Sequence, residues 1–267
     1  MNIGIDVGGT EIKAGIISDS RIIKRASVKT GRTKKEVVGN IISVIEKIIN
    51  KNTTFIGIGV PGPADYDKGI IGNTPNIALK GVNLKRIISS RFRKKVILDN
   101  DANCFVLGEA ARLGKKNVVG LTLGTGVGGG IVIGCRLYRG KGNAGELGHC
   151  TIRYDGPKSR FNDGCLESYV STKSIIRDYG ADPAELKSKK AWNSIGAKLG
   201  IGIANLINAF DPDVVVLGGG ISKSFDRFKT GMNQEIKKRA ITKTKVIRGK
   251  EDSGIIGAAN LQNQADP

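Results

Sequence analysis

Apolar and polar positions change period several times along the chain, and each change marks an element. Residues 2–7 (NIGIDV) are mostly apolar, Gly8-Gly9-Thr10 turns the chain, and residues 11–18 (EIKAGIIS) alternate. That pattern predicts a hairpin with one half-buried strand. Between 34 and 50, Val37, Val38, Ile41, Ile42, Val44, Ile45, Ile48 and Ile49 recur at helical spacing, which predicts an amphipathic helix. Residues 55–60 (FIGIGV) are an unbroken apolar run stopped by Pro61-Gly62-Pro63, as expected of a strand buried on both faces. A short strand over 96–98 ends at Asp99-Asn100-Asp101, and 102–113 reads as a helix. From 117 a strand, a turn and a second strand return as VVGLTL, GTGVGGG and IVIGCRLY. A glycine-dotted helix over 194–210, an apolar strand over 214–217, the turn Gly218-Gly219-Gly220 and a helix after Ser222 follow.

The second half thus repeats the first, and each half contributes one glycine hairpin. Glycines there leave backbone N–H groups uncovered, so an anionic oxygen can approach closely, and Thr10 and Thr125 add hydroxyl donors. Two such hairpins facing across a cleft would hold the two sides of one phosphate chain. A glycine pair in a single hairpin is more often only a turn. Both hairpins join strand to strand instead of opening a helix, which disfavours a dinucleotide-binding fold. Gly218-Gly219-Gly220, between a strand and a helix, suits either an anionic group at a helix N-terminus or close packing of helix on strand.

Composition narrows the class. At 267 residues and 39% hydrophobic content the chain can bury a large core, in one large domain or two ordinary ones. No run approaches the ~20 apolar residues of a membrane span, and no basic leader precedes the first strand. Cys104, Cys135, Cys150 and Cys165 are scattered, so neither a disulfide framework nor an oxidising compartment is expected, and a cytoplasmic location is. The net charge of +19, from 43 Lys and Arg against 24 Asp and Glu, points towards a polyanionic ligand. The basic runs RFRKK, KSKK and KKRAITKTK carry no interleaved aromatics, so they read as solvated faces, with a nucleoside triphosphate a better partner than nucleic acid.

IGIDVGGTEIKAGI, VPGP, LDNDAN, LTLGTGVGGGIVI, GNAGELGH, GCLE and VVVLGGGIS, in that order over nearly the whole chain, resemble the ROK (repressor, open reading frame, kinase) family of sugar kinases. The resemblance implies an α/β, two-lobed actin-like or ribonuclease H-like ATPase fold with duplicated βββαβα-type lobes. The expected lobes are 1–113, joined by the C-terminal helix at 254–267, and 114–253. ATP with Mg2+ and a hexose, glucose or an N-acetylhexosamine, are the implied ligands, and a homodimer is expected.

The resemblance also assigns roles. Asp101 matches the base that takes the proton from the sugar hydroxyl; the plainer reading is that Asp99, Asn100 and Asp101 cap the next helix. Asn100, Glu146, His149 and Glu167 match sugar contacts, with Asn76 either a further contact or a turn residue. His149 is the chain's one histidine, a residue otherwise more often structural. Gly8, Gly9, Thr10, Gly124, Thr125, Gly126, Gly218, Gly219 and Gly220 are the candidate ATP-binding positions. Lys13 either approaches the phosphates or faces solvent, and Asp6 matches the residue near magnesium, acting through water. The chain departs from the family where a structural zinc of one histidine and three cysteines is common: Lys158 and Arg160 stand at two thiolate positions, and only Cys165 remains. No zinc is therefore expected. Regulators of the family carry a helix-turn-helix module before the first glycine hairpin; here that hairpin begins at residue 2, so an enzyme is expected.

Overall fold

The computed structural model describes residues 1–18, 21–74, 77–159 and 161–264. The chain forms two compact units, Met1–Gly114 with the C-terminal segment from Asp252, and Lys115–Glu251.

The first unit opens with β1 (Asn2–Val7), β2 (Glu11–Ser18), β3 (Arg21–Lys29) and α1 (Lys34–Glu46). It continues through β4 (Phe55–Val60), the short β5 (Ala64–Asp65) and β6 (Ile70–Ile71), α2 (Leu84–Phe92), β7 (Lys95–Asn100) and α3 (Asp101–Leu113). The main sheet runs β3-β2-β1-β4-β7. The first three strands are antiparallel and β1, β4 and β7 parallel. β4 is buried at all six positions, as its unbroken apolar run requires. Parallel register then delivers the carboxyl ends together: Asp6 lies opposite Gly59, Gly59 opposite Asp99, and Val60 opposite Asn100. Ligands of open α/β sheets bind beyond such ends.

α1 starts at a capping box in which Thr33 accepts from the Glu36 amide and the Glu36 carboxylate reaches back. It stops at Glu46, three residues before the last apolar position of the periodicity, Ile49. Ile48 stays buried in the turn that follows, so apolar spacing outlasts the helix.

The second unit repeats the plan with β8 (Val118–Leu123), β9 (Val127–Ile133), β10 (Arg136–Leu137), α4 (Glu167–Val170), α5 (Thr172–Tyr179), α6 (Lys189–Phe210), β11 (Val214–Gly218), α7 (Phe225–Arg239) and β12 (Lys245–Arg248). Its sheet order, β10-β9-β8-β11-β12, is that of the first unit, again with two antiparallel and two parallel pairings. α6 begins five residues before the expected 194, capped by the Ser188 hydroxyl on the Ala191 amide, with Trp192 fully buried in its first turn. Two lysines in that turn hide the start from a hydrophobicity reading. The glycine turn after β11 leads into a single 3-10 stretch, Gly220–Ser224, before α7, not directly into an α-helix. The chain ends with α8 (Ser253–Asn260), which packs on β1, β4 and α3 of the first unit, followed by a 3-10 turn, Leu261–Gln264. Among the described residues no helix is long and apolar enough to cross a membrane.

Candidate active site

In the first unit the carboxyl edge of the sheet gathers four polar side chains. Asp6 is next to last in β1, Asp99 and Asn100 close β7, and Asp101 opens α3. Asn100 is the N-cap: its Oδ1 accepts the Ala102 amide at 2.9 Å, and Asp101 Oδ1 shares that donor at 2.9 Å. Capping is therefore real, but Asn100 alone satisfies it. Asp99 is 2% exposed and faces inwards, accepting from the Asn100 amide and from Asn103 Nδ2, both at 2.8 Å. Asp99 braces the turn, and Asp101 is the partly accessible carboxylate. Sequence reasoning missed Tyr66, whose hydroxyl accepts from Asn100 Nδ2 at 3.3 Å. Burial raises the Tyr66 phenol above its ordinary range, and the charges of Asp101 and Asp99 add to this against the Asn100 hydrogen bond. Tyr66 sits between two minor strands, where no motif marks it.

The first hairpin is closed by its own backbone: the Gly8 amide donates to the Glu11 carbonyl at 3.0 Å, and the Thr30 hydroxyl to the Gly8 carbonyl at 2.6 Å. Gly9 and Thr10 form the exposed tip. Of the three candidate phosphate positions in this hairpin, Gly8 thus holds the turn. Lys13 lies opposite Asp6 in the β1–β2 register and pairs with Glu11 at 3.7 Å.

Burial and the neighbouring Asp101 carboxylate push the Asp6 carboxyl up to about 6, and Lys13 opposes them. Two carboxylates sharing one low-dielectric edge suit a hard cation with oxygen ligands. Among the described residues no group of three or more His, Cys, Asp or Glu side chains could hold a metal, so a cation near Asp6 would keep its waters or take phosphate oxygens. The shift has a stability consequence. From about pH 4 to about pH 6 the folded chain keeps a proton that an unfolded Asp has lost, so stability falls as pH rises through that window. Asp6→Asn should then raise unfolding stability at pH 7.5 in magnesium-free buffer by about 1–3 kcal/mol, the upper figure being two pH units at ~1.4 kcal/mol each and the lower allowing for solvent screening. The gain should vanish near pH 4. An equal effect at both pH values in urea titrations would refute the assignment.

In the second unit, Gly124 of the hairpin and Gly220 of the glycine turn line one cavity of about 460 Å³, with Thr172, Asp182, Lys223 and Arg227. Its size is that of a small-molecule site. The turn abuts the hairpin because Gly219 takes a positive φ of 79°, and a Cβ there would lie 2.3 Å from the Leu123 carbonyl oxygen. The Gly124 amide donates to the Gly126 carbonyl and the Val127 amide to Glu167 Oε2 at 2.8 Å. Thr125 and Gly126 form the tip of this hairpin, with Thr125 exposed. Gly218 is inside β11, opposite Thr122, and lies outside the cavity lining.

Glu167, at the start of α4, is therefore tied to the hairpin. The 3-10 turn Leu147–His149 packs on β9, so it shares that neighbourhood. His149 Nε2 lies 3.8 Å from Glu146 Oε2, and Phe161 meets the imidazole edge-on with centroids 4.9 Å apart. Asn76 and Arg160 lie outside the described residues. The donor set at the family's zinc position does not fit that metal. Among the described residues His149 Nδ1 is buried without a hydrogen-bond partner, but Cys165 directs its thiol at Ser159 Oγ, 3.6 Å away, Cys150 is exposed, and Lys158 holds a third place. One imidazole and one thiol do not close a tetrahedral site.

Comparison with known proteins identifies the family and the fold. The ROK family model matches residues 2–265. A putative xylose repressor from Caldicellulosiruptor sp. (strain Rt8B.4) is 35% identical over an alignment of 280 positions, covering 89% of this chain and 70% of its own. A glucokinase from Thermotoga maritima is 31% identical over an alignment of 304 positions, covering 97% of this chain and 96% of its own. The crystal structure of a ROK family glucokinase from Streptomyces griseus in complex with glucose and AMPPNP matches with a TM-score of 0.80 at 27% identity, covering 99% of each chain. With the duplicated sheet order, that likeness identifies the actin-like, ribonuclease H-like ATPase fold.

Proposed function

The chain belongs to the ROK family, and from that premise we propose that it is an ATP-dependent sugar kinase acting on the 6-hydroxyl of a hexose, with glucose the first candidate and an N-acetylhexosamine the second. The observation that carries this reading is the placement of Asp101 beside Asp6 at the carboxyl edge of the first unit's sheet, partly accessible and not needed as the helix cap. A sugar sensor needs no such base.

Phosphoryl transfer to an alcohol requires a base on the acceptor, donors on the phosphates and a cation to spread developing charge. Asp101 takes the hydroxyl proton as the sugar oxygen attacks the γ-phosphorus and its bond to the leaving oxygen breaks. Asn100, Glu146, His149 and Glu167 supply the paired donors and acceptors that fixed sugar hydroxyls call for. In the second unit the amides of Thr125 and Gly126 and the cavity bordered by Gly124 and Gly220 receive the nucleotide. In the first, the Gly9-Thr10 tip offers amides and a hydroxyl to phosphate. Magnesium held near Asp6 would neutralise charge on the phosphates.

A screen of hexoses and N-acetylhexosamines with ATP and magnesium, read as ADP release, should find at least one substrate whose product carries phosphate on its 6-oxygen. The 35% identity to a putative repressor favours a second reading, a sugar-responsive regulator. Absence of turnover with every sugar, together with sequence-selective duplex binding at physiological salt, would establish that reading and refute the first.

A further inference from the structure

The loop after His149 is organised by hydrogen bonds that centre on one residue. Asn162 Nδ2 donates to the backbone carbonyl of His149 and, at 3.2 Å, to Thr151 Oγ1. The Asn162 amide donates to Ser159 Oγ at 3.2 Å, and the Ser159 hydroxyl returns a bond to the Asn162 carbonyl. Ser159 Oγ in turn faces the buried Cys165 thiol. Thr151 pairs with Cys165 in an antiparallel bridge, and its hydroxyl reaches the Asp163 carbonyl at 3.3 Å. Phe161, next to Asn162, covers the edge of the imidazole. Each end of the loop is thus fastened to the His149 segment through Asn162 or its immediate neighbours.

The residues that would bind zinc do not fit that metal, yet the loop is folded against the histidine. We propose that Asn162 is a positioning residue for His149, holding the histidine's backbone in place by hydrogen bonds, with the neighbouring Phe161 against the ring, where the family pattern uses a metal ion. A side-chain amide suits the task because it supplies two donors in one plane, one for each of the two acceptors. It does not touch the reacting atoms. The kinetic consequence rests on the proposed role of His149 in sugar binding; the structural consequence does not.

Because His149 is the chain's one histidine, its imidazole resonances report on it without assignment and without turnover. Asn162→Ala and the near-isosteric Asn162→Asp both remove the two donations, so both should move the His149 imidazole ¹H–¹³C and ¹H–¹⁵N signals from their wild-type positions. In the kinase assay both should raise the sugar KM about tenfold, equivalent to ~1.4 kcal/mol, with ATP KM and kcat within about twofold of wild type. In a His149→Ala background, Asn162→Ala should add less than about twofold, since residues acting through one another are not additive. Unmoved imidazole signals in both variants overturn the proposal, as does full additivity with His149→Ala. A loss in Asn162→Ala that Asn162→Asp restores also overturns it, because volume and not donation would then matter. Should Asn162→Ala fail to fold, Thr151→Val, which removes one acceptor, must displace the same signals, and its failure to do so counts against the proposal. If no sugar is phosphorylated at all, the kinase reading falls and the imidazole signals decide the positioning role alone.

Discussion

Asp101→Asn is expected to lower turnover by ~10²–10⁴-fold, the usual worth of a positioned general base. The substitution keeps the side chain's shape and its carbonyl oxygen, so the bond from the Ala102 amide survives, and Asn100 supplies the cap in any case. Sugar KM should change much less than kcat, because an amide still hydrogen-bonds a hydroxyl but cannot take its proton. Asp99→Asn is the control. Its carboxylate is buried and accepts both N–H groups on Oδ1, so an amide keeps those bonds but puts a buried NH2 donor where Oδ2 lies. An uncompensated buried polar group costs about 1–3 kcal/mol, which should appear as a lower melting temperature in Asp99→Asn, with kcat reduced far less than in Asp101→Asn. Equal losses of activity in the two variants, with melting temperatures that fall together, would make the whole acidic turn structural and remove Asp101 as the base.

The pattern of the chain announced its elements unevenly, and the failures share a cause. Duplicated hairpins and the doubly buried β4 were legible because glycine punctuation and strand period are local signals. β3 was not, since RIIKRASVK lies at the sheet's edge with most positions solvated and shows no clean alternation. The ends of α1 and α6 were misjudged for opposite reasons: buried Ile48 extends a stripe beyond its helix, while Lys189 and Lys190 conceal the start of another. Sheet order, and with it the meeting of Asp6 and Asp101, depends on β4 pairing with both β1 and β7, as in Asn2 opposite Phe55 and Phe55 opposite Lys95, contacts that no local pattern announces. Motif likeness reached those residues where spacing could not. Neither route reached Tyr66 or Asn162, because each acts through a loop that carries no repeated pattern.

Gly257→Ala is expected to destabilise the first unit by about 3 kcal/mol or more, at or beyond the upper end of ordinary overpacking. α8 is held between α3 and the sheet by bare backbone on both sides. A Cβ on Gly257 would lie 1.7 Å from the Cys104 carbonyl oxygen of α3, and one on Gly108 of α3 would lie 1.9 Å from the Ser253 carbonyl oxygen of α8. On the opposite side, Gly4 of β1 and Gly57 of β4 meet the Ile255 and Ala258 carbonyl oxygens at 1.9 and 1.8 Å by the same measure. No flexible side chain is there to yield, so α8 would have to move away from α3 and into strands that already touch it. Interiors packed like crystals do not accommodate such a shift cheaply. Gly39→Ala supplies the contrast: Gly39 is exposed within α1, and a Cβ there meets nothing within 4 Å. That change should stabilise by about 0.5–1 kcal/mol, since alanine gives up less backbone freedom on entering a helix. Urea unfolding followed by far-ultraviolet circular dichroism should therefore shift the two variants in opposite directions. A Gly257→Ala midpoint equal to that of the wild type would show that α8 is not clamped between α3 and the sheet.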